Sequence, residues 1–230
     1  MRIDILTLFP KLFESVFSES MMKRAAERDS VKINILNIRN FAAGKHKITD
    51  DKPYGGGAGM IMMAQPLVAA IKSAKSACRT KKKRVILLSP QGNLFNQEKA
   101  KELSGLKQIV LICGHYGGVD ERVLKYVDEE ISIGDYVLTG GEIPAMVVSD
   151  TVVRLIPGVV GKTDSITQDS LWDGMLTFPA YTRPRNFKGM RVPKVLLSGN
   201  HAEIEKWRRK KQLDNTLKKR PDLIRKGEKQ

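Results

Sequence analysis

The run Ile109-Val-Leu-Ile-Cys-Gly-His-Tyr-Gly-Gly118 joins five consecutive apolar residues to a turn that carries three glycines. Five residues is strand length, and an apolar run without polar alternation suits a strand covered on both faces, as in the middle of a parallel sheet. Four further runs, Arg2–Leu8, Val31–Ile38, Val85–Leu88 and Glu130–Ile133, are likewise rich in Ile, Val and Leu. Between them lie stretches with apolar residues at spacings of three and four: Lys11–Ala25, Pro66–Ala77, Asn96–Leu103, Asp120–Tyr126 and Glu142–Leu155. Alternating strand and helix predicts an α/β fold with a mostly parallel sheet. Pro66 and Pro144 fall in first helical turns, where a missing N–H costs nothing, and Pro157-Gly158 stops the last helix. The first domain is therefore expected to span residues 1–158.

From Val159 to Gly174 the chain has little periodicity and much Ser, Thr, Asp and Gly, which reads as an interdomain linker. Residues 175–230 then form a second domain. Asn200-His-Ala-Glu203 pairs a favoured N-cap with an acid three residues on, ahead of Ile204, Trp207 and Leu213 at near-helical spacing, and Pro221 opens another short helix. The net charge of +15 is concentrated here. Residues 1–180 hold 24 Lys and Arg against 20 Asp and Glu, whereas residues 181–230 hold 16 against 5. A basic module attached to a nearly neutral body points to a polyanionic partner, with a merely solvated charged face as the alternative.

Other classes are excluded by pattern. With 41% hydrophobic and 28% charged residues the chain is too apolar for wholesale disorder. No window approaches about 18 uninterrupted apolar residues, and Met1–Pro10 has no charged-then-apolar leader, so a cytoplasmic protein without membrane contact is expected. Cys78 and Cys113 lie far apart and the three histidines are scattered, which leaves no zinc-finger spacing. The loop Pro53-Tyr-Gly-Gly-Gly-Ala-Gly59 allows close backbone approach but lacks the third glycine of a dinucleotide-binding turn. Gly161-Lys-Thr163 lacks the glycine five residues earlier that a phosphate-cradling loop needs, since Ile156 stands there.

Three glycine-bearing turns follow consecutive predicted strands: Ser89-Pro-Gln-Gly92, Cys113-Gly-His-Tyr-Gly-Gly118 and Gly134-Asp-Tyr-Val-Leu-Thr-Gly-Gly141. Open α/β sheets bind ligands at the C-terminal ends of their strands, so the three together describe a small-molecule pocket with backbone donors and an aromatic wall from Tyr116 and Tyr136. Two charged residues stand out for acid–base work. Arg154 sits on an otherwise apolar helix and Asp169 lies in the linker, although a structural ion pair and a helix cap explain them equally well from local sequence.

Five segments in order carry a family likeness: Asp51-Lys-Pro-Tyr-Gly-Gly-Gly-Ala-Gly-Met60, Leu88-Ser-Pro-Gln-Gly92, Ser132-Ile-Gly-Asp-Tyr-Val-Leu-Thr-Gly-Gly-Glu-Ile-Pro-Ala145, Ile156-Pro-Gly-Val159 and Leu197-Ser-Gly-Asn-His-Ala-Glu203. The chain closely resembles the bacterial tRNA (guanine-N1)-methyltransferases of the SPOUT superfamily. That resemblance implies a C-terminal trefoil knot in the α/β domain, a small helical C-terminal domain that grips tRNA, and a homodimer with its active sites at the subunit interface. It implies methyl transfer from S-adenosylmethionine to N1 of the guanosine just 3′ of the anticodon, position 37, and brings in magnesium as an accessory ion. Matched residue by residue, the donor pocket would use Pro90, Gly114, Tyr116, Ile133, Gly134, Asp135, Tyr136, Val137, Leu138, Gly140, Gly141 and Pro144. Asp169 would be the general base and Arg154 its electrostatic helper. Asp50 and Gly59 would lie near the target nucleotide, and Lys206, Arg208 and Arg209 would meet phosphates. One position departs from the likeness: Gly117 stands where the family usually carries Glu, an acid well placed to read the guanine edge.

A phosphate-binding tail makes RNA affinity depend steeply on salt. Raising monovalent salt from about 50 to 200 mM is expected to weaken tRNA binding roughly tenfold or more, as measured by filter binding. A flat response would return the tail to a solvated face.

Overall fold

The computed structural model describes residues 1–161 and 164–227, which divide into two compact units, Met1–Val160 and Gly161–Gln230. The first unit is built on five strands, β1 (Arg2–Thr7), β2 (Lys32–Asn37), β3 (Lys83–Leu94), β4 (Gln108–Cys113) and β5 (Glu129–Ser132). They pair in the order β2-β1-β4-β3-β5, and every pairing is parallel. The central strand is β4, all of it buried, as its uninterrupted apolar run predicts.

The pleat sorts side chains onto two faces. Ile3, Ile5, Ile86, Leu88, Ile109, Leu111 and Cys113 join one core cluster. Helices α1 (Ser20–Glu27), α3 (Gln97–Ser104) and α4 (Glu142–Val153) contribute Ala25, Leu103, Ala145, Val148 and Val152 to it. Leu6, Val85, Leu87, Val110 and Ile112 form the opposite cluster beneath helix α2 (Ala64–Ser76). Leu67, Ala70, Ile71 and Ala74 of α2 repeat at helical spacing, and each large side chain buried this way stabilises the fold by about 1.5–3 kcal/mol.

Three elements differ from the sequence reading. Lys11–Ala25 is not one helix: a 3-10 turn at Pro10–Phe13 and a short turn at Glu14–Phe17 precede α1, with Glu19 extended and Ser20 at φ 52°. The polar Ser18-Glu19-Ser20 breaks the run, and Phe13 turns fully into the core, its ring 5.5 Å from that of Phe17. Glu121–Tyr126 is 3-10 rather than α, capped by the Asp120 carboxylate, which accepts from the Arg122 N–H at 2.9 Å. Arg122 also forks onto that carboxylate and holds it down at about pKa 2. The third strand runs well beyond Leu88. Pro90 sits in an interruption of the pairing, where its missing N–H is harmless, and Asn93 and Leu94 rejoin β5 at Ile131 and Ser132.

At the opposite end of the sheet from the glycine turns, Asp4 is fully buried, and Arg2 donates to both its oxygens at 2.7 Å. Gln108 donates to Asp4 and to the Ala74 carbonyl, also at 2.7 Å, which ties β1, β4 and α2 together.

The second unit contains helix α5 (His201–Lys219), a short helix at Pro221–Gly227, and a hairpin of Asn186–Phe187 with Met190–Arg191 that the sequence reading did not include. The hairpin turn places Lys188 and Gly189 at φ 50° and 85°, the conformation a two-residue loop requires. Asn200 caps α5 by accepting from the Glu203 N–H at 3.3 Å. Of the segment read as a linker, Val159 is buried in the first unit's core, residues 164–167 form a helical turn, and Lys162 and Thr163 lie outside the described residues.

Removing one partner from a buried ion pair strands the other. Arg2→Met is therefore expected to lower unfolding free energy by about 3 kcal/mol in urea titration. A loss below about 1 kcal/mol would mean that Gln108 alone satisfies Asp4.

Candidate active site

A cavity of about 500 Å³ opens where β4 and β5 end, beside the Leu87–Gln91 stretch of β3. The three glycine turns form its walls, through Ser89–Gln91, Gly114–Val119 and Ile131–Gly134, with Tyr136–Gly141 and Pro144 completing them. The cavity brings together eleven of the twelve residues matched to a donor pocket, while Asp135 is exposed outside the lining.

Close backbone approach shapes this cavity. Gly141 donates its N–H to the Gly114 carbonyl at 2.8 Å, and a Cβ on Gly141 would stand 2.7 Å from the Cys113 Cα. A Cβ on Gly140 would collide with the Glu142 carboxylate and the His115 ring, and one on Gly92 would collide with the Glu130–Ile131 backbone. Tyr116 has φ 58°, a left-handed conformation that is costly for an aromatic residue and turns the chain at the cavity wall. The Ile133–Leu138 turn closes on itself: the Tyr136 N–H donates to the Gly134 carbonyl at 2.9 Å, and its hydroxyl donates to the Ile133 carbonyl at 3.2 Å.

Beside this wall, Glu142 opens α4 almost fully buried and accepts from the Thr7 hydroxyl at 2.8 Å. A helix N-terminus favours a carboxylate there. Its other oxygen lies 4.0 Å from Nδ1 of His115, whose ring packs against Phe9 and edge-on to Tyr116. His115 lines the cavity and was not among the expected site residues. Its place inside the Gly114–Gly118 turn is the signal that pointed there. Burial, reinforced by the Glu142 charge, pushes the Cys113 thiol well up, so Cys113 stays protonated at neutral pH as an inert core residue.

The glycine-rich loop attaches to the rim of the same cavity. Asp50–Asp51 pairs antiparallel with Ile61–Met62, and Gly117 and Gly118 bond to Met60 and Met62 at 2.9 and 3.0 Å. Gly55, Gly56, Gly57 and Gly59 all have positive φ, so this loop demands glycine. Asp50 accepts from the Thr49 hydroxyl at 3.3 Å. Gly117, on the cavity wall, is not left-handed, and a Cβ there would meet the Met60 carbonyl oxygen at 3.1 Å. A Cβ at this position therefore requires that carbonyl to give by a few tenths of an ångström.

The remaining expected residues fall within their own units. In the first unit, Arg154 is the C-cap of α4, half-buried, with its N–H bonded to the Asp150 carbonyl at 3.1 Å. In the second, Asp169 is half-buried after the Asp164–Thr167 turn. Its N–H bonds to Ile166 at 3.2 Å and its carbonyl accepts from Trp172 at 3.3 Å. On α5, Lys206 and Arg209 are exposed, with Arg209 3.3 Å from Glu205, whereas the Arg208 guanidinium lies over the Phe178 ring at 4.8 Å. Among the described residues, no group of three or more His, Cys, Asp or Glu clusters to hold a metal ion, and no helix is long and apolar enough to cross a membrane.

Comparison with known proteins is decisive at this point. The sequence profile of tRNA (Guanine-1)-methyltransferase TrmD matches residues 1–226. The chain belongs to this family. Among curated relatives, the tRNA (guanine-N(1)-)-methyltransferase of Caldanaerobacter subterraneus subsp. tengcongensis is 56% identical over 227 residues, covering 99% of this chain and 93% of the relative. The enzymes of that name from Dictyoglomus turgidum and Clostridium tetani are 53% and 52% identical, each over 98% of this chain and over 91% and 92% of their own lengths. The membership expected from the five segments is thereby established, and with it a tRNA-modifying methyltransferase built on a parallel α/β sheet.

The tight approach at Gly141 makes a direct test of the cavity. Gly141→Ala is expected to cost about 1–3 kcal/mol of stability and to weaken donor binding in calorimetry. Gly105→Ala, where the added carbon meets only ordinary contact at 3.4 Å, is expected to leave donor binding unchanged.

Proposed function

We propose that the protein transfers a methyl group from S-adenosylmethionine to N1 of guanosine 37, immediately 3′ of the tRNA anticodon. The observation that carries this reading is the cavity at the C-terminal sheet edge, formed by three glycine turns, two of which, Ser89–Gly92 and Gly134–Gly141, lie within the family segments. Its volume of about 500 Å³ and its many backbone polar groups suit a nucleoside-sized ligand such as the methyl donor. The donor supplies an electrophilic methyl group. The walls formed by Gly114, Gly140 and Gly141 hold it by backbone approach, and Tyr116 and Tyr136 supply aromatic surface.

N1 of guanine carries a proton that must leave as the new bond forms. Asp169 accepts it, and because a carboxylate is ordinarily a weak base for such a proton, removal is concerted with methyl attack. Arg154 stabilises the negative charge that develops on the guanine, a contribution made in the transition state more than in the ground state. Asp50 and Gly59 sit near the target nucleotide, and the exposed cations Lys206 and Arg209, with Arg208, meet tRNA phosphates. Among the described residues, no group of three or more His, Cys, Asp or Glu gathers that could hold magnesium.

The family likeness extends the proposal to a trefoil knot around the donor, residues 1–158 as the knotted domain and 175–230 as the basic helical domain, a homodimer with active sites at the subunit interface, and a cytoplasmic setting. Ile143 and Val147, exposed one turn apart on α4, suit a subunit contact.

Purified protein with labelled donor is expected to methylate a tRNA transcript with guanosine at position 37 and not the same transcript with adenosine there. Equal labelling of both would overturn the specificity, and donor binding without labelling would indicate a non-catalytic RNA-binding protein. Asp169→Ala is expected to keep donor binding and lose turnover by roughly 10²- to 10⁴-fold.

A further inference from the structure

In the second unit, residues 168–177, the loop that carries Asp169, are fastened to one face of the basic helix α5. The loop is first tied to itself. The Thr177 N–H donates to the Ser170 hydroxyl at 2.9 Å, the Thr177 hydroxyl donates to the Gln168 carbonyl at 2.8 Å, and the Leu171 N–H reaches the Met175 carbonyl at 2.6 Å. Leu171, two residues from Asp169, is held at φ 70°. Such a conformation is costly for leucine and persists only where surrounding contacts impose it.

The same loop is bonded to α5. Thr216, fully buried, accepts from the Leu176 N–H at 3.0 Å while donating back to the Gln212 carbonyl at 2.8 Å. The Asn215 amide donates to the Thr177 carbonyl at 2.8 Å, and the Gln212 amide donates to both oxygens of Asp173 at 3.2 and 2.9 Å. One turn earlier, Arg208 stacks on Phe178. Positions 208, 212, 215 and 216 share a single helical face. The other faces of α5 expose Lys206, Lys210 and Lys218.

We infer that Gln212, Asn215 and Thr216 are positioning residues that clasp the Asp169 loop to the RNA-gripping helix, so that the helix and the general base move as one body. The inference rests on the reading of Asp169 as the base. Phosphate contacts on the exposed faces of α5 then orient, through the clasp, the carboxylate that must meet N1. A misplacement of about an ångström at such a group is enough to cost a large factor in rate without weakening substrate binding.

The test compares Thr216→Val, which keeps shape and removes the hydroxyl, with Thr216→Ser, which keeps it. Three quantities are read at saturating donor: the single-turnover methylation rate at saturating tRNA, the tRNA dissociation constant, and the 19F resonance of fluorotryptophan at Trp172 in a Trp207→Phe background. Thr216→Val is expected to slow single turnover roughly tenfold or more. It should leave tRNA affinity within about threefold, because the exposed cations are untouched, and should broaden or shift the Trp172 resonance. Thr216→Ser is expected to restore the rate and the resonance together. Should Thr216→Val fail to fold, Asn215→Ala, which removes one bond at the loop's end, carries the same expectations. A wild-type rate in a valine variant whose Trp172 signal has changed would overturn the inference. So would an equal loss in the serine variant, or a loss confined to tRNA affinity. Asp169→Asn, assayed alongside, separates the two ideas: full turnover there would end the base assignment, while an unchanged Trp172 signal in Thr216→Val would end the clasp.

Discussion

Between Gly141 and the Cys113–Gly114 backbone there is no room for a methyl group. The end of the central strand and the start of α4 touch main chain to main chain, through the bond from the Gly141 N–H to the Gly114 carbonyl. Everything at the sheet edge follows from that contact. It brings the first turn of α4 beside the β4 turn, sets Glu142 under Thr7 and near His115, and leaves the peptide groups of three turns facing a shared cavity. Side chains at these glycines would fill the space that a ligand needs, so the same small residues permit the packing and create the pocket.

The electrostatics divide along the chain in the same way as the fold. The first unit holds 23 Lys and Arg against 17 Asp and Glu, and the two carboxylates it buries have partners: Asp4 with Arg2 and Gln108, and Glu142 with Thr7 at a helix N-terminus. Such groups hold elements in register. In the second unit α5 exposes Lys206, Lys210 and Lys218, while another face carries Asn215 and Thr216, whose bonds join neutral groups, and Gln212, whose amide meets the Asp173 carboxylate. Salt screens the exposed cations, whereas the bonds of Asn215 and Thr216 join neutral groups and do not depend on it.

Much of the site was legible because backbone demands are written in residue types. The apolar runs Ile109–Cys113 and Arg2–Leu8 read as buried strands since only a parallel sheet covers both faces, and the turns at Gly114, Gly134 and Gly141 read as a pocket since glycine clusters mark close approach. Asn200 announced the start of α5 by its capping chemistry. Less visible were the break at Ser18-Glu19-Ser20 and the continuation of β3 past Pro90, because each depends on what a distant segment offers: a place in the core for Phe13, and free backbone on β5 for Asn93 and Leu94. The contacts of residues 168–177 with α5 escaped for the same reason, as no local pattern marks a polar residue whose partner lies tens of residues away.

The sequence by itself thus determined the parallel α/β class, the glycine turns that line the cavity, the basic tail and the family, all of which rest on periodicity, composition and short motifs. Only the tertiary structure decided the strand order, the volume of the cavity, the exclusion of Asp135 from its wall, and the attachment of the Asp169 loop to α5. These depend on distances between residues remote in the chain, which are set when burial and hydrogen bonding are satisfied together and are not encoded in any one segment.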